Sequence, residues 1–209
     1  MDMSATTGPL DGFAIGVTAD RRAAEQMTLF ESLGAESLHG PTVQMRLVQP
    51  QTELLAASER LVESPPDVLV VSSGIGIRGW LDAADAFGSG PELRAALAQT
   101  TILVQDANTH GATIAAGLDV GWHGASGTID ELVDHISSLR YPAERITVLL
   151  DGAARHPILD QLCDLGADLT TITAYRCALP GDLSSAETLV RAAVERKVDA
   201  VTFVSSSAA

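Results

Sequence analysis

Asp67-Val-Leu-Val-Val-Ser-Ser73 is a short apolar run closed by two serines, and the chain repeats it as Asp199-Ala-Val-Thr-Phe-Val-Ser205. Both read as buried strands of a parallel sheet. In each copy a serine stands six residues after the aspartate, where a parallel strand ends and a helix begins. Free N–H groups and the positive helix end gather there, and ligands of open α/β sheets sit outside the carboxyl ends of the strands. Two such ends, 132 residues apart, predict two similar domains facing one ligand.

Outward from these runs, the pattern alternates. Strand candidates are Phe13 to Val17, Val68 to Ser72, Ile102 to Gln105, Ile146 to Leu150 and Ala200 to Val204. Helical spacing covers Ala23 to Leu33, Thr52 to Glu63, Pro91 to Ala98, Thr109 to Ala116, Thr128 to Leu139, Pro157 to Leu165 and Ser184 to Arg196. Alternation of this kind predicts doubly wound α/β with parallel sheets. Two extended segments interrupt it, Pro41 to Pro50 and the threonine-rich Leu169 to Pro180. Paired as an antiparallel connector, they divide the chain into a discontinuous first lobe, 1–42 plus 173–209, and a second lobe, 43–172. The returning part of the first lobe supplies one helix and one strand before Ala209. Against a small α/β lobe of roughly 100 residues, this predicts about 50 or more further residues beyond the C-terminal end.

Composition excludes several classes. Among 209 residues, 27 Asp and Glu against 13 Lys and Arg give a formal charge of −14, unsuited to non-specific nucleic-acid binding by counterion release. The start, Met-Asp-Met-Ser-Ala-Thr-Thr-Gly, has neither a basic n-region nor an apolar h-region. No apolar run approaches the roughly 18 residues of a membrane span, so a cytoplasmic protein without membrane contact is expected. Cys163 and Cys177 lack CxxC spacing, and the five histidines form no HExxH motif or one-turn pair. Free thiols and no metal site are the expectation.

Gly74-Ile-Gly76-Ile-Arg-Gly79 matches GxGxxG after a strand, but a dinucleotide site needs an acidic ribose ligand about 20 residues on. The candidate, Asp106, lies 27 residues beyond Gly79, after two helical stretches. Glycines that let a helix start tightly after Ser73 are the plainer reading. Asp106 and Asp151 at strand ends suggest a phosphoacceptor, but Thr18-Ala-Asp20 offers one carboxylate where an acidic pair is needed. No G-x-S-x-G elbow is present. The hydroxyls of Thr18, Ser72, Ser73, Thr109, Ser126, Ser205 and Ser206 stand at turn positions, most of them after a strand and before a helix. Capping, worth roughly 1 kcal/mol each, explains any one of them singly. Together they can line a cleft between lobes.

The order of these segments resembles the uroporphyrinogen-III synthase family. The resemblance rests on Gly16-Val-Thr-Ala-Asp-Arg21, Val70-Val-Ser-Ser73, Asn108-Thr-His-Gly-Ala-Thr-Ile-Ala-Ala-Gly117 and Leu149-Leu-Asp-Gly152. Gly166-Ala-Asp-Leu-Thr-Thr-Ile-Thr-Ala-Tyr-Arg176 and Phe203-Val-Ser-Ser-Ser-Ala208 extend it over nearly the whole chain. It implies two α/β lobes on a two-stranded linker, and a carbon-oxygen hydro-lyase of porphyrin and heme biosynthesis. Such an enzyme closes hydroxymethylbilane to uroporphyrinogen III with loss of water and inversion of the last pyrrole ring, without metal or redox cofactor. Tyr175 matches the family tyrosine proposed as proton donor to the departing hydroxyl, and a phenol near pKa 10 is protonated at neutral pH. Packing between lobes is the plainer role for it. For such a substrate the turn hydroxyls of Thr18, Ser72, Ser73, Thr109, Ser126, Ser205 and Ser206, together with Arg21, are the expected binding residues, with Arg22, Arg78 and Arg176 as further partners for its eight carboxylates. A monomer is expected.

Ile75-Gly-Ile-Arg-Gly-Trp80 resembles the actinobacterial branch, in which a winged-helix DNA-binding domain sometimes follows the synthase part. Where the family usually has glycine this chain has Asp106, and Val204 replaces a usual threonine. A carboxylate at 106 repels a polyanion and removes the close backbone approach glycine allows. The Asp106 departure and the expected C-terminal extension favour an alternative: a non-catalytic, synthase-derived module that senses a ligand for a transcriptional regulator, with DNA contact through a further C-terminal domain.

Overall fold

The structure is a computed structural model describing residues 8–48, 52–139, 145–150, 152 and 157–203. The chain divides into two compact units, 47–176 and the discontinuous 1–46 plus 177–209.

In the continuous unit, strands β4 (Val68–Val71), β5 (Thr101–Val104), β6 (Trp122–His123), β7 (Arg145–Leu150) and β8 (Asp168–Thr173) form one sheet in the order β6-β5-β4-β7-β8. All its pairings are parallel. The run Val-Leu-Val-Val of β4 is buried throughout because helices cover both faces. Leu69 and Val71 face a core with α2 (Thr52–Glu63), α3 (Gly74–Ala86) and α4 (Gly90–Leu97), through Leu54, Leu61, Trp80, Leu81 and Leu93. Val68 and Val70 point the other way, into a core with α6 (Ile129–Ser137) and α7 (Pro157–Asp164), through Leu132, Ile136, Ile158 and Leu162. Each large apolar side chain so buried stabilises by about 1.5–3 kcal/mol. Trp80 also donates its indole N–H to the buried Ser58 hydroxyl at 2.7 Å, so its one polar atom is satisfied.

The discontinuous unit has a parallel sheet ordered β10-β1-β2, from β10 (Ala200–Thr202), β1 (Ala14–Val17) and β2 (Glu36–His39). Gly16 meets Leu189 of α8 (Ser184–Val194), whose side chain occupies the place a Cβ would take. Val17 faces the opposite way, toward Ala23, Met27 and Phe30 of α1 (Ala23–Ser32). Strands β3 (Gln44–Leu47) and β9 (Tyr175–Ala178) pair as a separate two-stranded sheet, and the division between units falls inside both.

The two parallel-sheet lobes joined by strands are those expected from the alternation. One expectation needs correction: Leu169 to Pro180 is not a single connector. Its first half is β8, the edge strand of the five-stranded sheet, with Ile172 alone in the strand fully buried. The turn at Ala174 then separates it from β9, which makes the connection. Strand β2, Glu-Ser-Leu-His, carries no apolar run to mark it, and β6 is two residues long. The α3 helix and α5 (Ala107–Ala115) pack closely enough that a Cβ on Gly74 would lie 2.6 Å from Ala112 Cβ. Gly74→Ala is therefore expected to cost about 1–3 kcal/mol in urea denaturation followed by tryptophan fluorescence. Adding Ala112→Gly should return part of that loss, and an unaffected single variant would rule out the close helix contact.

Candidate functional site

In the five-stranded sheet the strand order reverses between β4 and β7, and ligands of such sheets bind outside the carboxyl ends at that point. Three elements bring residues there. β4 leads into Ser72 and Ser73, β7 leads to Gly152, and Tyr175 opens β9. The Tyr175 hydroxyl lies 2.9 Å from Ser73 Oγ, with 5% and 8% of the two residues exposed. Ser73 has extended backbone (φ −149°, ψ 122°) and caps α3, its Oγ accepting the Gly76 N–H at 3.2 Å. Gly152, at φ +84°, lies against the tyrosine ring: a Cβ there would be 2.6 Å from Cε2. Any L-residue at 152 is strained and also displaces the ring.

The neighbouring hydroxyls are occupied differently. Ser72 donates both its N–H, at 3.2 Å, and its hydroxyl, at 2.8 Å, to the Leu149 carbonyl of β7, so it closes the strand pair. Asp106 caps α5, accepting the Thr109 N–H at 2.7 Å, and this extends the helix two residues before Thr109. Thr109 is buried, with its carbonyl accepting the Thr113 hydroxyl at 2.8 Å. At α6 the Glu131 carboxylate receives the Ala125 and Ser126 N–H groups at 3.0 and 2.8 Å and the Ser126 hydroxyl. These donors, the Ser126 hydroxyl first, hold the Glu131 carboxyl below its ordinary value. The N-termini of α5 and α6 thus already carry a carboxylate each. The N-terminus of α3 is capped by a neutral serine and has no acidic residue in its first turn.

Sequence spacing held no sign of two ring stacks at this sheet edge. His110 in α5 stacks on His123 with centroids 4.5 Å apart, and Trp122 on His135 at 4.3 Å. Trp122 and His123 are the two residues of β6, which pairs with β5. No group of metal-ligating side chains occurs among the described residues. The GxGxxG glycines serve packing, Gly74 against Ala112 and Gly79 with Leu47 3.3 Å from its Cβ position. A cavity of about 360 Å³ beside α2 and β8, lined by Glu53, Arg60, Thr173 and Arg176 among others, includes neither Ser73 nor Tyr175.

In the other unit Thr18 follows β1, buried, and donates its hydroxyl to the Thr202 carbonyl of β10 at 2.7 Å. Arg21 is exposed. Arg22 sits in the left-handed region at φ 58° and pairs with Glu25. Ser205 and Ser206 lie outside the described residues.

A family profile described as "Uroporphyrinogen-III synthase HemD" matches residues 24–209. The chain belongs to the uroporphyrinogen-III synthase family. A protein of Methanothermobacter thermautotrophicus named "Putative uroporphyrinogen-III synthase" is 27% identical over 184 residues, 88% of this chain and 70% of the relative. A mutant uroporphyrinogen III synthase from Thermus thermophilus superposes with TM-score 0.75 at 24% identity, covering 90% of this chain and 71% of that one. The wild-type Thermus thermophilus enzyme in another crystal form gives 0.65 at 25% identity, covering 92% and 72%. Membership places the chain in tetrapyrrole biosynthesis. Among the described residues no helix is long and apolar enough to cross a membrane.

In this family member the Glu131 carboxylate makes stability depend on pH. With its folded pKa depressed, the carboxylate stabilises the fold above its unfolded pKa, and the contribution is lost as pH falls through the folded value. A difference in urea midpoint between wild type and Glu131→Gln is expected at neutral pH and should shrink as pH falls below the ordinary glutamate value of about 4.3. A difference independent of pH would assign the effect to something other than the ionised carboxylate.

Proposed function

We propose that this chain is a uroporphyrinogen-III synthase, a carbon-oxygen lyase that cyclises hydroxymethylbilane with loss of water and inversion of the terminal ring. The observation that carries the reading is the Tyr175 phenol held on Ser73 where the strand order reverses. At that place a proton donor meets a helix N-terminus without a carboxylate of its own.

The chemistry asks for a donor and for orientation. The terminal pyrrole nitrogen pushes out the hydroxyl, which takes a proton and leaves as water, and an azafulvene results. The far ring attacks it to form a spiro intermediate, which reopens and closes inverted, the ring carbon finally losing a proton. Tyr175 supplies the proton to the departing hydroxyl. Folding a flexible polyanion so that the correct carbon attacks is an orientation effect, within the roughly 7–11 kcal/mol available to intramolecular arrangement. No cofactor is called for. Main-chain N–H groups take most of the substrate carboxylates, because the −14 chain has few cations to offer. Thr109, Arg21, Ser205 and Ser206 are the further contacts this reading assigns, within a cytoplasmic, monomeric enzyme serving heme formation. Thr18, Ser72 and Ser126 are assigned lesser parts, since backbone carbonyls occupy the first two hydroxyls and a carboxylate the third.

Asp106 favours a second reading, in which the chain binds a tetrapyrrole or another anion without turning it over and controls an attached regulatory domain. Its carboxylate holds the Thr109 N–H that a substrate carboxylate would otherwise use. Turnover of freshly generated hydroxymethylbilane, with uroporphyrinogen I and III resolved after oxidation, separates the two. Spontaneous closure gives the I isomer. Predominant III isomer is expected, with kcat falling about 10²-fold in Tyr175→Phe. Formation of the I isomer alone by folded protein would overturn the synthase reading in favour of the sensor.

A further inference from the structure

We infer that Ser73 is a positioning residue: it aims the Tyr175 phenol and couples it to the N-terminus of α3, so that the helix stabilises the phenolate as the proton leaves. This rests on the proposed role of Tyr175 as proton donor. Ser73 Oγ accepts the Gly76 N–H at 3.2 Å and lies 2.9 Å from Tyr175 Oη. A serine hydroxyl has one proton to give. For Tyr175 to deliver its own proton to the substrate, the bond between them must run from Ser73 to the phenol oxygen. The polarity is then continuous, with the Gly76 N–H donating to Ser73 and Ser73 donating to Tyr175. Negative charge developing on Oη is met by a hydrogen bond whose donor is itself polarised by a helix N-terminus.

The surroundings support a fixed phenol. Tyr175 and Ser73 are both buried, so water competes little for the bond. Gly152 lies against the ring, with no room between them for a Cβ, and limits its movement on that side. α3 has neither an acidic cap nor an acidic first turn to neutralise its positive end, in contrast to the carboxylates at α5 and α6. The acceptor at Ser73 is therefore neutral. A substrate-binding role alone would not require the serine hydroxyl to be engaged on both sides by protein atoms.

Ser73 also caps α3, so the test must separate capping from positioning. Glycine caps nearly as well as serine but has no hydroxyl, and threonine keeps both functions. In Ser73→Gly, kcat for the III isomer is expected to fall up to about 10²-fold with KM little changed, and Ser73→Thr should recover most of it. Ser73→Gly combined with Tyr175→Phe should be no slower than Tyr175→Phe alone. A second readout needs no turnover. The chain has two tyrosines, so in a Tyr141→Phe background the ultraviolet titration reports Tyr175 alone. There Ser73→Gly should move phenol ionisation to higher pH, and Ser73→Thr should not. Additive losses in the double variant, or an unmoved titration in Ser73→Gly, would overturn the inference. If wild type forms only the I isomer while the titration shifts as expected, the coupling stands and the synthase reading falls.

Discussion

The register of both lobes is set by one device, an aspartate that grips the neighbouring strand at two points. Asp67 donates its N–H to the Arg145 carbonyl at 3.0 Å and accepts the Arg145 N–H on its carboxylate at 2.9 Å. Asp199 does the same to Ala14, both contacts at 2.8 Å. Each bond contributes about 0.5–1.5 kcal/mol net, a small energy. Its importance is positional. A slip of one residue would send Leu69 and Val71 to the opposite face of a sheet covered on both sides, and would move Ser73 away from Tyr175.

At the far ends of the same strand pairs the device is a hydroxyl that donates beside its own N–H. Ser72 gives both to the Leu149 carbonyl, and Thr18 gives both to Thr202. In the discontinuous lobe the strand that carries the hydroxyl is exchanged with its partner, yet the closure is the same. Two of the hydroxyls that sequence order places at strand ends are thus committed to the sheet. Ser73, one residue later in a helix cap, is the one whose oxygen bridges a helix N-terminus to a phenol.

Much of this was legible because burial dictates composition. Val68–Val71 and Ile146–Leu150 are apolar because helices cover both faces of them, and Thr52–Glu63 carries its helical spacing to its observed limits. Strands with one wet face were harder to read. Glu36–His39 lacks an apolar run, and Asp168–Thr173 exposes threonines along an edge, so it merged with the connector that follows. Among site residues, Ser73 and Tyr175 were legible as types at positions, but 102 residues separate them and their contact belongs to tertiary structure. Gly152 and the stacked His110 and His123 carried no local signal of what they touch.

An acidic chain can still bind a polyanion if its own carboxylates are engaged before the ligand arrives. Asp67 and Asp199 hold strand starts, and Asp182 accepts the N–H of Ser184 at the start of α8. Asp85 and Glu25 are paired with Arg94 and Arg22. These contacts bring part of the negative charge onto backbone N–H groups and guanidinium groups, which lowers the local field although the formal total stays at −14. The same arrangement works against binding at α5, where Asp106 takes a donor that an anionic ligand could use. It leaves α3 as the helix whose positive end faces the reversal of the sheet without a carboxylate, and that is where the tyrosine stands. The location proposed for the chemistry therefore follows from which helix, among the described residues, starts without a carboxylate.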